Sequence, residues 1–270
     1  MTGTFAAAVP GNDTMFGDAG NDVLLRGDGD DTTNGGADAD YMDGGAGTDT
    51  LSYEGSPAVA GPPTGVTVDL GAGTASGGHA TGDIFTSFEN LIGSSFNDVL
   101  TSSNFVSTIS GGAGNDTISL VDNTSFVGDV IFGGVGNDTI NDNFGITDDT
   151  FVGGAGNDII NLNNTDDLDV VDMNSGDGID TINGFDAGGG FEDTLNIDDL
   201  ISFVGGSTDL AGAVAGGFVN FASNGGLFNE VQVDANGGDN ALVTVAFLTG
   251  FDFADEADAV ASLTGNIVVA

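Results

Sequence analysis

Apolar residues in this chain recur singly at nine-residue intervals. Met15, Leu24, Met42 and Leu51 fall on one such series, with Thr33 as its polar member. Each stands in the middle of a three-residue segment, and the six residues ahead of it are rich in glycine and end in Asp. A lone apolar residue in so short a segment predicts a strand that turns one side chain to a core, and the glycine-rich stretch predicts a tight turn. Aligned on the Asp, five tandem copies span Ala8–Phe16, Gly17–Leu25, Arg26–Asn34, Gly35–Asp43 and Gly44–Ser52.

The pattern returns more plainly in Gly111–Ser119, Gly133–Asn141 and Gly153–Asn161, each reading G-G-x-G-x-D-x-U-x with an Ile at the apolar position. Copies at Gly93–Thr101 and Ser175–Asn183 extend this second block. Degenerate copies alternate with the intact ones: Ser102–Ser110, Thr124–Phe132, Phe144–Val152 and Asn164–Asp172. Their register aligns Ile109, Ile131, Phe151 and Val171 as core positions. Short insertions at Leu120–Asn123, Asp142–Asn143, Leu162–Asn163 and Met173–Asn174 adjoin the degenerate copies.

These nonapeptides resemble the RTX (repeats-in-toxin, haemolysin-type calcium-binding) family. The resemblance implies an all-β fold, a right-handed parallel β-roll (β-solenoid) in which two repeats form one coil. Each turn then stacks on the turn two repeats away, and stacked turns share calcium ions. The family's side-chain ligand falls on the sixth position, here Asp13, Asp22, Asp31, Asp40, Asp49, Asp98, Asp116, Asp138, Asp158 and Asp180. Glycine carbonyls complete the shell, among them Gly20, Gly45, Gly112, Gly114, Gly134, Gly136, Gly154, Gly156 and Gly178. The leading glycines are replaced by Ala8 and Val9 in the first copy, and Phe96 takes a glycine position in Gly93–Thr101. Pairing turns two repeats apart gives about three ions in the first block and about four in the second, ~7 in all, at an affinity of ~10⁻⁴–10⁻³ M. With two repeats per coil, every intact turn of the second block lies on one edge. Calcium is expected along that edge, and other contacts along the opposite one.

The period divides the chain into four parts: residues 1–52, the first block; 53–82, an excursion; 83–183, the second block; and 184–270, a C-terminal antiparallel β cap. The excursion holds Pro57, Pro62 and Pro63 and a strand-like Val66–Leu70. After Asn183, alternation at Phe218–Phe221, Glu230–Val233 and Leu242–Phe247 predicts antiparallel strands, and Phe253–Leu263 has helix-like spacing. A solenoid needs an end cap over its last apolar layer. This region is also similar to the C-terminal targeting domain of type I secretion substrates.

Composition sharpens the reading. The net charge is −41, with 48 glycines, 19 phenylalanines, no cysteine and no tryptophan. Nearly all the acid is Asp, Glu occurring only at Glu54, Glu89, Glu192, Glu230 and Glu256. Asp suits turns and hard-cation coordination through oxygen, which favours calcium over zinc or magnesium. Hydrophobic content of 39% supplies a core, so charge repulsion is what opposes folding, and a multivalent cation removes it. Acidic residues outside the repeats, Asp186, Asp193, Asp198, Asp199, Asp234 and Asp239, read as a solvated surface.

The same features exclude several classes. A chain with a single Lys or Arg does not meet nucleic-acid phosphates. No apolar run is long enough to span a membrane, and Met1–Ala7 has neither the basic nor the apolar part of an ordinary signal peptide. His79 is the one histidine, in Gly77–Gly82, with no G-x-S-x-G and no H-E-x-x-H in the chain, so no enzyme is expected. The expectation is a secreted calcium-binding structural protein, extracellular or on the surface of a Gram-negative bacterium, that self-assembles into a layer, filament or matrix. Its expected partners are calcium, copies of itself, and cell-surface polysaccharide bridged through calcium. The alternative is a calcium-dependent adhesin or a module recognising a cell surface, polysaccharide or ice.

Overall fold

The computed structural model describes residues 5–6, 10–105, 107–121, 127–143, 147–163, 168–174, 177–185, 193–197, 219–224, 227–233, 243–249 and 267–268. Short strands follow one another through the repeats. The first block forms β1 (Phe5–Ala6), β2 (Thr14–Phe16), β3 (Val23–Leu25), β4 (Thr32–Asn34), β5 (Tyr41–Asp43) and β6 (Thr50–Ser52). The interruption forms β7 (Thr67–Asp69) and β8 (Thr74–Ser76) with a 3₁₀ turn at Gly78–Ala80, before β9 (Ile84–Thr86) and β10 (Asn90–Ile92) resume the period. The second block runs through β11 (Val99–Thr101), β12 (Thr108–Ala113), β13 (Thr117–Ser119), β14 (Val130–Val135), β15 (Thr139–Asn141), β16 (Thr150–Ala155), β17 (Ile159–Asn161), β18 (Val170–Asp172) and β19 (Asp180–Asn183). Beyond it lie β20 (Thr194–Asn196), β21 (Val219–Asn224), β22 (Leu227–Val233), β23 (Val243–Thr249) and β24 (Ile267–Val268).

Consecutive strands of the repeats fall in opposite sheets, so the chain winds as a flattened parallel solenoid. Among the described residues, one sheet has fourteen strands in the order β1-β3-β5-β9-β8-β7-β11-β13-β15-β17-β19-β23-β22-β21. The other has ten, β2-β4-β6-β10-β12-β14-β16-β18-β20-β24. Leu24 pairs with Met42 in one sheet and Thr14 with Thr32 in the other, each two repeats on. Two repeats therefore make one coil.

The core is a pair of stacked columns between the sheets. Ile118, Ile140, Ile160 and Ile182 lie in register along one, and Ile109, Ile131, Phe151, Val171 and Leu195 along the other. All are fully buried. The degenerate copies thus keep the core register that their apolar residues predict. Leu120, Leu162 and Met173, the leading residues of three insertions, also turn inward. An Ile140→Ala variant is expected to lose about 2–5 kcal/mol, because each coil contributes one side chain per column and no neighbour can fill the hole. Denaturant unfolding in saturating calcium measures this.

Residues 67–76 join the sheet instead of looping away from it. β7 pairs parallel with β11 and antiparallel with β8, which pairs antiparallel with β9. Val66, Val68, Leu70 and Ala80 enter the core, and buried Tyr53 donates its hydroxyl to Asp83 Oδ2 at 3.1 Å. The three C-terminal strands β21, β22 and β23 are antiparallel, as the alternation predicts, and β23 extends the solenoid by pairing parallel with β19. The helix-like segment Phe253–Leu263 lies outside the described residues. Among the described residues no helix is long and apolar enough to cross a membrane.

Candidate calcium-binding edges

Glycine shapes the turns because stacked turns press their backbones together. Gly134 and Gly136 adopt φ of +113° and +142°, and Gly154 and Gly156 adopt +95° and +149°, a region that side-chain-bearing residues rarely enter. A Cβ on Gly136 would collide with the Gly114 carbonyl oxygen, and one on Gly156 with that of Gly136. Gly112, Gly134 and Gly154 stack in a second column of the same kind. Gly45 packs on the Gly27 carbonyl, Gly178 packs on that of Gly156, and Gly20 has φ of +117°. Columns of backbone oxygen therefore run along the edge, with no side chain between them.

The sixth-position Asp residues form a ladder on the same turns. Asp98 N–H donates to Asp116 Oδ1 at 2.8 Å, Asp116 N–H to Asp138 Oδ1 at 2.7 Å, Asp138 N–H to Asp158 Oδ1 at 2.7 Å, and Asp158 N–H to Asp180 Oδ1 at 2.9 Å. Asp22 N–H donates likewise to Asp40, and Asp40 N–H to Asp83. On the opposite edge Asp13 N–H donates to Asp31 and Asp31 N–H to Asp49. Asp13 is half-buried and the other nine predicted Asp residues are buried.

One oxygen of each accepting carboxylate is thus used in holding coils together. The second points into its own turn: a Cβ on Gly133 would lie 2.7 Å from Asp138 Oδ2. The Oδ2 atoms of Asp31, Asp40, Asp49, Asp116, Asp138, Asp158 and Asp180 are buried without a hydrogen-bond partner. Leaving a buried charged acceptor unsatisfied is costly. Burial pushes the Asp116 carboxyl up to about 8, that of Asp180 to about 7, and those of Asp49 and Asp158 to about 6. The N–H bonds pull the other way, while neighbouring carboxylates add to the rise. A hard divalent cation removes both problems by taking the free oxygens as ligands. Among the described residues no three acidic or histidine side chains converge on one point. The donor set is accordingly one carboxylate per turn with backbone carbonyls around it, which fits calcium and not zinc.

The ladders also reach residues that the sequence reading passed over. On the edge of the degenerate turns, Ser107 N–H donates to Asp129 Oδ1, Asp129 N–H to Asp149, Asp149 N–H to Asp169, and Asp169 N–H to Asp193. These four carboxylates are buried. The contacts expected to hold this edge are therefore a second carboxylate ladder. Asp193, read from the sequence as solvated surface, is a correction: its carboxylate closes that ladder. Asp129, Asp149 and Asp169 stand at the sixth position of three degenerate copies, so the signal was present without the full G-G-x-G. Asp83 and Glu89 carry the two ladders past the interruption, Glu89 Oε2 accepting from Asp49 N–H at 2.9 Å. Asp186, Asp198, Asp199, Asp234 and Asp239 lie outside the described residues. His79 is half-buried, and its backbone N–H donates to Ser56 Oγ at 2.8 Å.

An Asp138→Asn variant tests the division of labour between the two oxygens. Its Oδ1 still accepts from Asp116, while the charge at Oδ2 is gone. The half-folding calcium concentration is expected to rise, and the bound-ion count to fall. Circular dichroism during calcium titration, with metal analysis, measures both.

Comparison with curated protein sequences gives no match. Among solved structures, the extracellular lipase LipA from Serratia marcescens aligns with a TM-score of 0.30 at 16% identity. The alignment covers 100% of this chain, which spans 40% of that lipase. The family model "RTX calcium-binding nonapeptide repeat (4 copies)" matches residues 8–33, 27–51, 90–120, 128–160 and 145–168. Those matches fall on the stacked turns and their two carboxylate ladders, and these segments of the chain are similar to RTX calcium-binding nonapeptide repeats.

Proposed function

We propose that this is a secreted structural protein that stays unfolded at low calcium, folds on calcium outside the cell, and assembles with copies of itself. The observation that carries the reading is the line of buried Asp oxygens without partners, for which a divalent ion is the fitting neighbour. Sites of ~10⁻⁴–10⁻³ M affinity remain empty at cytoplasmic calcium and fill at extracellular levels. An unfolded chain suits passage through a secretion channel. The proposed ligands are the ten sixth-position Asp residues and the stacked glycine carbonyls, with about seven ions as the expected count.

Self-assembly is supported by what the flat faces display. Val23, Tyr41 and Ile84 lie side by side across β3, β5 and β9, each exposed by at least a third. Phe16 and Phe132 are exposed on the other sheet. Contiguous apolar surface of this kind marks interaction sites. Electron microscopy and light scattering with and without calcium test the reading. Ordered polymers that form on calcium support it, and a calcium-folded monomer at all concentrations overturns the assembly part.

A second reading has one observation in its favour. The outward column of the ten-stranded sheet reads Thr14, Thr32, Thr50, Asn90, Thr108, Val130, Thr150, Val170 and Thr194 in register. A row of hydroxyls at the strand spacing of about 4.8 Å suits a module that binds polysaccharide or ice. Glycan binding or ice affinity by a calcium-folded monomer would favour it.

A further inference from the structure

The chain has a single Lys or Arg, and it lies in the interior. Arg26 occupies the first position of its repeat, where Gly17, Gly35 and Gly44 stand in the three neighbouring copies of the first block. In those copies the first position lies against the ladder carboxylate: a Cβ on Gly17 would come within 2.8 Å of Asp22 Oδ2, and one on Gly44 within 2.9 Å of Asp49 Oδ2. The Arg26 backbone keeps the normal turn, its N–H donating to the Asp43 carbonyl at 2.9 Å. Its side chain turns inward. Nε donates to Thr33 Oγ1 at 3.0 Å and Nη2 to the Thr32 carbonyl at 2.7 Å. Arg26 is 7% exposed and Thr33 fully buried.

Two departures from the repeat thus meet. Thr33 is the polar member of an inward series otherwise made of Met15, Leu24, Met42 and Leu51, and it supplies the acceptor for the departure at the first position. A guanidinium is charged at any ordinary pH, and burying it is expensive unless opposite charge is near. Burial lowers the guanidinium's pKa from its ordinary value, and the charges of Asp31, Asp13 and Asp49 offset part of that. These are the ladder carboxylates of its own edge, and the Oδ2 atoms of Asp31 and Asp49 have no hydrogen-bond partner.

We propose that Arg26 is a built-in counter-ion for the Asp13–Asp31–Asp49 column, filling the charge role that a bound divalent ion has in the other turns. This rests on the calcium reading above and deepens it. Its consequence is that the column takes up one ion fewer than its turn count implies. A fixed positive charge beneath these turns repels a divalent ion and already balances part of the carboxylate charge. The edge at the start of the first block then closes at lower calcium than the second block does.

The experiment counts ions in the full chain and in R26G, R26Q and R26K, by metal analysis after equilibrium dialysis at saturating calcium, with circular dichroism along the titration. R26G restores the glycine of the repeat and R26Q retains a hydrogen-bonding side chain without charge. Each is expected to bind one more ion per chain than the parent, and to need about twofold or more calcium for half-folding. R26K keeps the charge and is expected to match the parent count. Equal counts in all four proteins overturn the proposal and leave Arg26 a packing residue. Failure of both uncharged variants to fold at saturating calcium also overturns it, since an ion would then be unable to stand in for the side chain. Absence of bound calcium from the parent and every variant is a different result, and it refutes the calcium reading itself.

Discussion

Removing calcium is expected to unfold the repeat region entirely, with β-type circular dichroism replaced by that of an unstructured chain. At ~1 mM calcium, sites of ~10⁻⁴–10⁻³ M affinity each contribute roughly 0.4–1.4 kcal/mol. Over ~7 sites this comes to roughly 3–10 kcal/mol, comparable with the whole net stability of an ordinary domain, about 5–15 kcal/mol. Without the ions that term vanishes. The buried Oδ2 atoms of Asp116, Asp138 and Asp158 are then left with neither ligand nor hydrogen-bond partner. Because each of these carboxylates also holds the N–H of the preceding coil, loss of one turn loosens its neighbours. The calcium titration should therefore be steeper than independent sites allow. Unchanged β structure in excess chelator would refute this account.

Acid is expected to restore in part what chelation removes. Burial raises the Asp116 carboxyl from its ordinary 3.8 to about 8, and those of Asp149 and Asp180 to about 7. The ion-free fold therefore binds more protons than the unfolded chain over this range, and its stability falls as pH rises. The favourable contribution is complete below about pH 4 and is lost as pH climbs through 6 to 8. In chelator, lowering the pH from 8 to 5 should recover β structure, because a proton on Oδ2 stands in for the absent ion. With calcium present the sign reverses, since protons compete with the metal for the same oxygens. Half-folding calcium should then rise as pH falls. Circular dichroism at matched pH, with sedimentation to exclude aggregation near the isoelectric point of about 4.1, tests both halves. A chelated chain with the same spectrum at pH 8 and pH 5 would count against the buried-carboxylate account.

Much of this was legible because the units are local and repeated. Ile109, Ile131, Phe151 and Val171 mark core positions in copies whose turns have lost most of their glycines, and all four are fully buried. The aspartates of the intact turns were equally plain. Asp129, Asp149 and Asp169 stand in the same register, in copies without the G-G-x-G of the intact turns. Their function in the ladder needs only a carboxylate beside the preceding coil's N–H, which is indifferent to the residues that shape the turn. Asp193 also stands at the sixth position of a nonapeptide, Gly188–Asn196, with Leu195 at its apolar position, and the fold shows it accepting from Asp169.

The amino-acid order alone determined the coil. A glycine-rich turn closing on Asp and a strand with one inward side chain can bury that side chain only by stacking on copies of itself. The period then fixes which residues meet, as Leu24 with Met42 and Ile118 with Ile140. Where the period breaks, it supplies no partner, and the tertiary structure decided the outcome. Asp40 reaches Asp83 forty-three positions away, and Val66 N–H donates to Asp98 Oδ1 thirty-two positions away, so the ladder resumes across an inserted hairpin. Arg26 and Thr33 likewise look like two separate lapses along the chain. Only winding the turn and its strand around a shared interior brings the guanidinium to the hydroxyl and within electrostatic reach of Asp31, Asp13 and Asp49.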